Sequence, residues 1–159
     1  MNVDFKPLEA RPTSYRNVIL KSKSEAIFIR AVELYGWTNW EYEPERFRIY
    51  DWVPDFWITA SFYNPKRAKQ IVMSALIEYK PAPVTATYRT ELEKRFTSIV
   101  SRMLPYTVIP CLVIGNAFDC SIPRTVESFD GDEWEPQTPA MLNYLDVAKN
   151  FRFDLQHER

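Results

Sequence analysis

The chain has 159 residues, 46% of them hydrophobic, which suits one domain with a well-packed core and is too short for two ordinary ones. An aromatic content of 15% with only 3 glycines excludes a low-complexity or disordered chain. The net charge of −1 hides an asymmetry, because residues 1–110 carry 16 Lys and Arg against 12 Asp and Glu, and residues 111–159 carry 4 against 9. A basic main part tolerates a polyanion and the acidic stretch 127–135 repels one, although solvated faces that simply differ in charge explain the pattern equally well.

The remaining composition excludes two classes of protein. No run of about 18 apolar residues occurs, and the first residues lack the basic start and apolar stretch of a secretory signal, so we expect a cytosolic protein without a membrane partner. Two cysteines, Cys111 and Cys120, and one histidine, His157, disfavour a disulfide framework and a structural zinc site. We therefore expect reduced thiols.

The N-terminal part predicts an arm followed by a helix. Residues 1–20 contain Pro7 and Pro12 without sustained periodicity, which indicates an irregular arm. Apolar residues at helical spacing then predict a helix over residues 22–35, and Gly36 is placed to end it.

The next part changes to short aromatic and β-branched segments. Residues 39–43, 47–50 and 53–58 are separated by turn signals, and the pattern predicts three strands of a meander. A polar, basic connection at residues 64–67 leads into the apolar run 71–79. That run predicts a central strand buried on both faces.

A second helix and a further strand follow. Thr90 and Glu93 have the spacing of a capping box, so we expect the helix to begin near Thr90 and to end before Pro105. Residues 108–115 predict a buried strand parallel to the central one, through a right-handed crossover. Beyond it we expect an acidic loop, a short helix at residues 141–149 and a polar end.

These elements predict an α/β fold with a mixed central β-sheet flanked by helices. We divide it into an N-terminal arm at residues 1–20, a core at 21–115 and a C-terminal part at 116–159 whose loop, short helix and tail pack on the core.

The stretch ALIEYKP at residues 75–81 ends an apolar strand with two opposite charges. Residues two apart in a strand point to the same side, so Glu78 and Lys80 project together and Tyr79 faces the other layer. A carboxylate there can bind a divalent cation, and a neighbouring lysine can orient water or stabilise negative charge. The alternative is a strand end that becomes solvated.

Two further carboxylates are candidates for the same site. Asp55 follows Pro54 between large apolar residues, and beside Glu78 it would need a cation such as Mg²⁺ to neutralise the pair; alternatively it accepts backbone hydrogen bonds at a strand end. Glu25 lies in the first turn of the first helix, where a capping box with Ser22 explains it as well.

Three segments together resemble the PD-(D/E)XK nuclease superfamily, in particular its small phage and bacterial members. They are KSKSEAIFIRAVELYGWTNWEYEPERF at residues 21–47, VPDFWI at 53–58 and ALIEYKP at 75–81. Within them Trp-Glu-Tyr-Glu-Pro, Pro-Asp-Phe and Glu-Tyr-Lys occur in the order of the family. The resemblance covers residues 21–115, and the joint occurrence is more specific than any single motif.

The resemblance implies a restriction-endonuclease-like core and a Mg²⁺-dependent deoxyribonuclease, with Mn²⁺ as a substitute, acting as an endonuclease on DNA. The implied catalytic residues are Glu25, Asp55, Glu78 and Lys80. Asp55, Glu78 and the backbone carbonyl of Tyr79 are the implied metal ligands, with Glu25 joining directly or through water, while Lys80 positions the attacking water. The expected nucleic-acid contacts are Lys21, Lys23, Lys66, Arg67 and Lys69. The segment 62–70 looks like an insertion relative to compact members, and a solvated basic hairpin is the alternative for it.

Two other functions remain open at this point. One is a module on the same fold that binds nucleic acid or protein without cutting, and the other is a phage structural or assembly protein. Many nucleases of this fold act as homodimers, but no residue identifies a dimer surface. A phage-encoded chain would work in the host cytoplasm.

Overall fold

The computed structural model describes residues 11–80, 85–103, 109–115, 120–122, 126–127 and 132–155. Within these ranges the helices are α1 Lys23–Tyr35, α2 Ala86–Met103 and α3 Leu145–Lys149. The strands are β1 Thr13–Tyr15, β2 Val18–Leu20, β3 Thr38–Tyr42, β4 Phe56–Asn64, β5 Lys69–Lys80, β6 Cys111–Gly115, β7 Cys120–Ile122, β8 Val126–Glu127, β9 Glu133–Pro136 and β10 Asp154–Leu155. None of the described helices is long and apolar enough to cross a membrane.

Helix α1 has the ends that its sequence predicts. The Ser22 side chain accepts the Glu25 amide at 3.1 Å, which satisfies one of the open donors of the first turn. At the other end Gly36 has φ 121°, a backbone conformation that glycine adopts readily, and its amide donates to the carbonyls of Val32 and Glu33. The helix buries one apolar side, including Phe28 and Ile29.

The main sheet has the strand order β7-β6-β5-β4-β9-β8 in the described chain, and β3 also pairs with β4. Strands β5 and β6 are parallel, as predicted for a crossover through α2, and the other pairs are antiparallel, so the sheet is mixed. Alternate residues of β5 pack in two different clusters. Ile77 belongs to the core with α1, and Leu76 belongs to the core with α2. The protein is therefore an α/β protein whose mixed sheet is flanked by helices.

The N-terminal prediction is wrong for residues 13–20, because β1 and β2 form a hairpin that β10 extends to three strands. Its two turn residues, Arg16 and Asn17, have φ 49° and 65°. Hairpin turns of this kind need positive φ at both positions, and a sequence without glycine there gives little sign of one.

Two further predictions are corrected near the middle of the chain. Residues 47–50 do not form a strand; Glu45–Phe47 is a 3₁₀ turn closed by Phe47 donating to the Pro44 carbonyl, and only an isolated bridge joins Ile49 to Trp52. The second helix begins at Ala86 rather than near Thr90. The hydroxyl of Thr85 accepts the Tyr88 amide at 3.2 Å, so Thr85 takes the capping role expected of Thr90 with Glu93.

Strand β5 is buried on both faces only over its second half. Residues 75–79 are buried, whereas Lys69, Gln70, Val72 and Ser74 are exposed. The exposed half continues into the turn that joins β4 to β5. The segment 62–70, expected as an insertion, is thus the outer end of this β-hairpin.

The C-terminal part contributes to both layers. Strand β9 pairs with β4, and the predicted short helix is a 3₁₀ turn at Pro139–Tyr144 followed by α3, which both lie against α1. Cys111 is a free thiol. Residues 128–131 of the acidic stretch and residues 156–159, with His157, lie outside the described residues.

Candidate functional site

The antiparallel register of β4 and β5 brings the two central carboxylates together. Phe56 pairs with Ile77, so one step further along the ladder places Asp55 opposite Glu78. Side chains directly opposite each other in such a pair lie about 5 Å apart at their Cβ atoms. The backbone holds Asp55 on both sides, because its carbonyl accepts the Glu43 amide at 2.8 Å and its Oδ2 accepts the Tyr79 amide at 2.8 Å.

Burial and mutual repulsion dominate the electrostatics of this pair. Desolvation, the charge of Glu78 and a hydrogen bond between the two carboxyl groups raise the pKa of Asp55 well above its usual range, while the Tyr79 amide and Lys80 oppose the shift. Glu78 is 2% exposed, and its Oε2 accepts the indole N–H of Trp52 at 2.7 Å. The raised pKa of Asp55 means that this pair favours an added proton or a cation between the two carboxyl groups.

Lys80 extends the same row of side chains at the end of β5. It is two residues from Glu78, and its Nζ lies 4.9 Å from the centre of the Tyr88 ring on α2. Burial lowers the pKa of Lys80, but the hydrogen bond with Tyr88 and the charges of Glu78 and Asp55 outweigh it and raise the pKa. The ammonium group is therefore positively charged beside the two carboxyl groups.

Glu25 approaches this edge of the sheet from α1. Burial and the charge of Asp55 raise its pKa to about 7, although hydrogen bonds from Tyr42 and Ser22 oppose the shift. Both hydroxyls donate to Oε1 at 3.3 Å. The other oxygen, Oε2, is shielded from solvent and has no hydrogen-bond partner within the described residues. The amide of Glu25 is capped by Ser22 at 3.1 Å, and this capping leaves the carboxyl group available for a site role, which stays a prediction.

Tyr79 points to the opposite face, as predicted from strand alternation. Its ring belongs to the core with α1, and its hydroxyl lies 3.1 Å from the Ser24 hydroxyl. Only its backbone reaches the candidate site, through the amide that Asp55 accepts. The role of its carbonyl as a metal ligand stays a prediction.

The basic residues fall into two groups. Lys21 is close to the carboxylates: its Nζ pairs with Glu43 at 3.1 Å, and the charges of Asp55 and Glu25 help to raise its pKa, although burial opposes this. Lys23 is exposed nearby on α1. The structure thus places Lys21 beside the carboxylates, and the contact of either lysine with nucleic acid stays a prediction.

The second basic group lies at the far end of the hairpin. Lys66 and Lys69 are exposed there, and Arg67 forms an ion pair with Asp132 at 2.8 Å. Eight residue steps separate Phe56 from Asn64 on β4, which is about 26 Å at about 3.3 Å per step. The structure therefore does not bring this group together with the carboxylates, and its contact with nucleic acid stays a prediction.

The donors present suit Mg²⁺ better than a softer metal. Mg²⁺ binds through one or two carboxylates and keeps several waters, and Asp55 with Glu78 supplies such a pair. The unpartnered Oε2 of Glu25 is one more oxygen on this side. No cluster of three or more Asp, Glu, His or Cys side chains at metal-binding spacing occurs among the described residues. The chemistry of the two carboxylates is the part of this set that fits a Mg²⁺ ion.

Sequence reasoning missed three aromatic partners of the site. Trp52 donates to Glu78, Tyr42 donates to Glu25, and Tyr88 contacts Lys80. Tyr42 lies within the segments that resemble the nuclease superfamily and Trp52 directly precedes one of them, but nothing in a linear pattern says which carboxylate an indole or phenol reaches. Tyr88 comes from the helix on the far side of the sheet.

Comparison with known proteins gave no relative: no family model, no curated protein and no solved structure matches this chain.

Proposed function

We propose that the protein is a Mg²⁺-dependent phosphodiesterase that cleaves DNA, built on a restriction-endonuclease-like core. The observation that carries the proposal is the juxtaposition of Asp55 with the buried Glu78 across the β4–β5 ladder, with Lys80 two residues further along the strand. The choice of DNA and of an endonucleolytic cut rests on the resemblance in sequence to the PD-(D/E)XK nucleases.

Each residue has a distinct role in this proposal. Asp55 and Glu78 bind the ion, and Trp52 fixes Glu78 through its indole N–H. When bound, Mg²⁺ polarises a phosphate oxygen and lowers the pKa of a coordinated water. Lys80 orients the attacking water and stabilises negative charge on the phosphate, because its hydrogen bond with Tyr88 and the charges of Glu78 and Asp55 outweigh the effect of burial and keep its ammonium group charged.

A cleavage assay tests the proposal. Supercoiled plasmid, linear duplex, branched DNA and single-stranded RNA are incubated with Mg²⁺, Mn²⁺ or EDTA. We expect metal-dependent cleavage of DNA that falls at least about a hundredfold in Glu78→Gln and in Lys80→Met. Matched controls are Glu93→Gln and Lys94→Met, two exposed positions on α2, which we expect to cut like the wild type.

A binding measurement separates the metal site from the chemistry. Glu78→Gln keeps an oxygen that accepts the Trp52 indole, so the variant is expected to fold. Mg²⁺ at 100 times its Kd raises the unfolding free energy of the wild type by about 2.7 kcal/mol and has little effect on Asp55→Asn or Glu78→Gln. If wild type and variants bind DNA equally, none cuts it and Mg²⁺ stabilises none of them, the protein is a binding module instead.

A further inference from the structure

A cavity of about 340 Å³ lies away from the carboxylate site, between the turn of the first hairpin and the C-terminal part of the chain. At about 30 Å³ per water this is room for roughly eleven waters, and it falls in the size range of ligand sites. The described residues that line it are Ser14, Tyr15, Arg16, Asn17, Arg30, Phe151 and Arg152. Three are arginines and none is acidic.

Arg30 is held in a fixed position with an open donor. Its guanidinium group lies 4.0 Å from the centre of the Phe151 ring, and Nη1 donates to the Tyr15 hydroxyl at 3.3 Å. The Nε–H is shielded from solvent and has no hydrogen-bond partner among the described residues. A buried donor without a partner is costly, so the guanidinium group of Arg30, which lines the cavity, has hydrogen-bonding capacity left for a ligand.

The other two arginines that line the cavity are Arg16 and Arg152, and they differ in whether a carboxylate neutralises them. Arg16 is already neutralised by Glu33, with its Nε 2.7 Å from Oε2. Arg152 is exposed, and no ion pair ties it to another residue in the part of the chain that the structure describes. Guanidinium groups bind phosphate oxygens through paired N–H donors, and three arginines but no acidic residue are among the described residues that line this cavity.

We propose that this cavity binds a phosphate group, held by Arg30 and Arg152 with Arg16 at its side. A phosphodiester in a nucleic-acid strand, a nucleotide and inorganic phosphate share this chemistry. Arg30 follows Glu25 by five residues on α1, which is about 7.5 Å along the helix axis. The inference is independent of the metal chemistry, and a strand phosphate in this cavity would anchor the substrate proposed above.

The test uses the full chain in EDTA, so that binding is measured without cleavage. Inorganic phosphate, a nucleoside monophosphate and an oligonucleotide without terminal phosphates are titrated by calorimetry at constant ionic strength. We expect saturable binding by the wild type that weakens about tenfold in Arg30→Gln and several-fold in Arg152→Gln. Arg89→Gln removes the same charge from an exposed position on α2 and is expected to bind like the wild type.

Each outcome decides something. Arg30 also packs on Phe151, but Arg152 has no such contact, so Arg152→Gln tests the cavity even where Arg30→Gln fails to fold. Binding of the oligonucleotide alone identifies a strand phosphate, and binding of the two small ligands identifies a free phosphate. The proposal is overturned if no ligand binds saturably, or if Arg89→Gln weakens binding as much as Arg152→Gln. If the protein cuts no DNA and Glu78→Gln still binds phosphate, the phosphate site is supported and the proposed nuclease activity is contradicted.

Discussion

The charged residues at the two ends of the β4–β5 hairpin differ in how far they are shielded from water. At one end Asp55 and Glu78 are buried against each other, each held by a donor from the backbone or from Trp52. At the other end Lys66 and Lys69 are exposed in a turn. A buried charge requires partners, whereas an exposed one is stabilised by water. Within one hairpin, hydrogen bonds therefore fix the positions of Asp55 and Glu78, whereas packing does not hold the lysines of the turn.

The largest expected effect compares packing in the two halves of β5. Leu76 is completely buried between the sheet and α2, while Val72 is 66% exposed. Leu76→Ala should lower the unfolding free energy by about 3 kcal/mol, and Val72→Ala by no more than about 0.5 kcal/mol. Urea unfolding measures both; similar losses would contradict the division of the hairpin into two halves.

The second effect concerns the indole that supports Glu78. Trp52→Phe keeps a ring against Phe96 but leaves Glu78 Oε2 without its donor, and should destabilise the metal-free protein by about 2 kcal/mol. The same change in a Glu78→Gln background should cost less, because an amide is less costly to bury than a carboxylate. An equal cost in both backgrounds would mean that the ring, rather than its N–H, matters. Trp57→Phe serves as the control.

The third effect is a pH dependence caused by Glu25. Its pKa is raised in the folded protein to about 7, so the folded state binds a proton that the unfolded state has already released above about 4.5. The stability that the protonated carboxyl group contributes is therefore lost as the pH rises from about 4.5 to about 7. The shift corresponds to about 1.5 kcal/mol after reduction for partial exposure.

Unfolding in EDTA at pH 4.5 and pH 8 checks this. The stability of the wild type relative to Glu25→Gln should fall by that amount between the two pH values, while Glu93→Gln should follow the wild type. A flat difference would show that the carboxyl of Glu25 titrates normally.

The smallest expected change in stability concerns the turn between β4 and β5. Ala68 has φ 49°, in the left-handed region that favours glycine, so Ala68→Gly should stabilise the protein by about 0.5 kcal/mol. Ala60→Gly, in the buried part of β4, should destabilise it by about 1 kcal/mol. Destabilisation by Ala68→Gly would show that the turn is not strained.

The sequence predicted those parts of the molecule that depend on local signals. Ser22 and Gly36 gave the ends of α1, and strand alternation separated Glu78 and Lys80 from Tyr79. The parallel pairing of β5 with β6 followed from one strand, one helix and one strand in order. Local patterns were sufficient wherever neighbours in the chain determine the conformation.

What the sequence did not predict depends on long-range pairing or on unusual backbone. Arg16 and Asn17 make a hairpin turn with positive φ and no glycine, and Tyr50 takes φ 54° where a strand is predicted at residues 47–50. The donation from Trp52 to Glu78 depends on a fold that brings residues 26 apart into contact. These features follow from tertiary structure, which a linear pattern does not contain.

The pairing of β4 also has a consequence for how the chain tolerates shortening. One edge of β4 is divided between two short strands, with β3 covering its first half and β9, from late in the chain, bonding to Phe62 and Tyr63. Removal of the chain from residue 133 onward would leave these backbone groups open beside an exposed hairpin. Open strand edges pair with other molecules, so such a shortened protein, which also lacks the core residues Trp134 and Met141, would self-associate as well as lose stability.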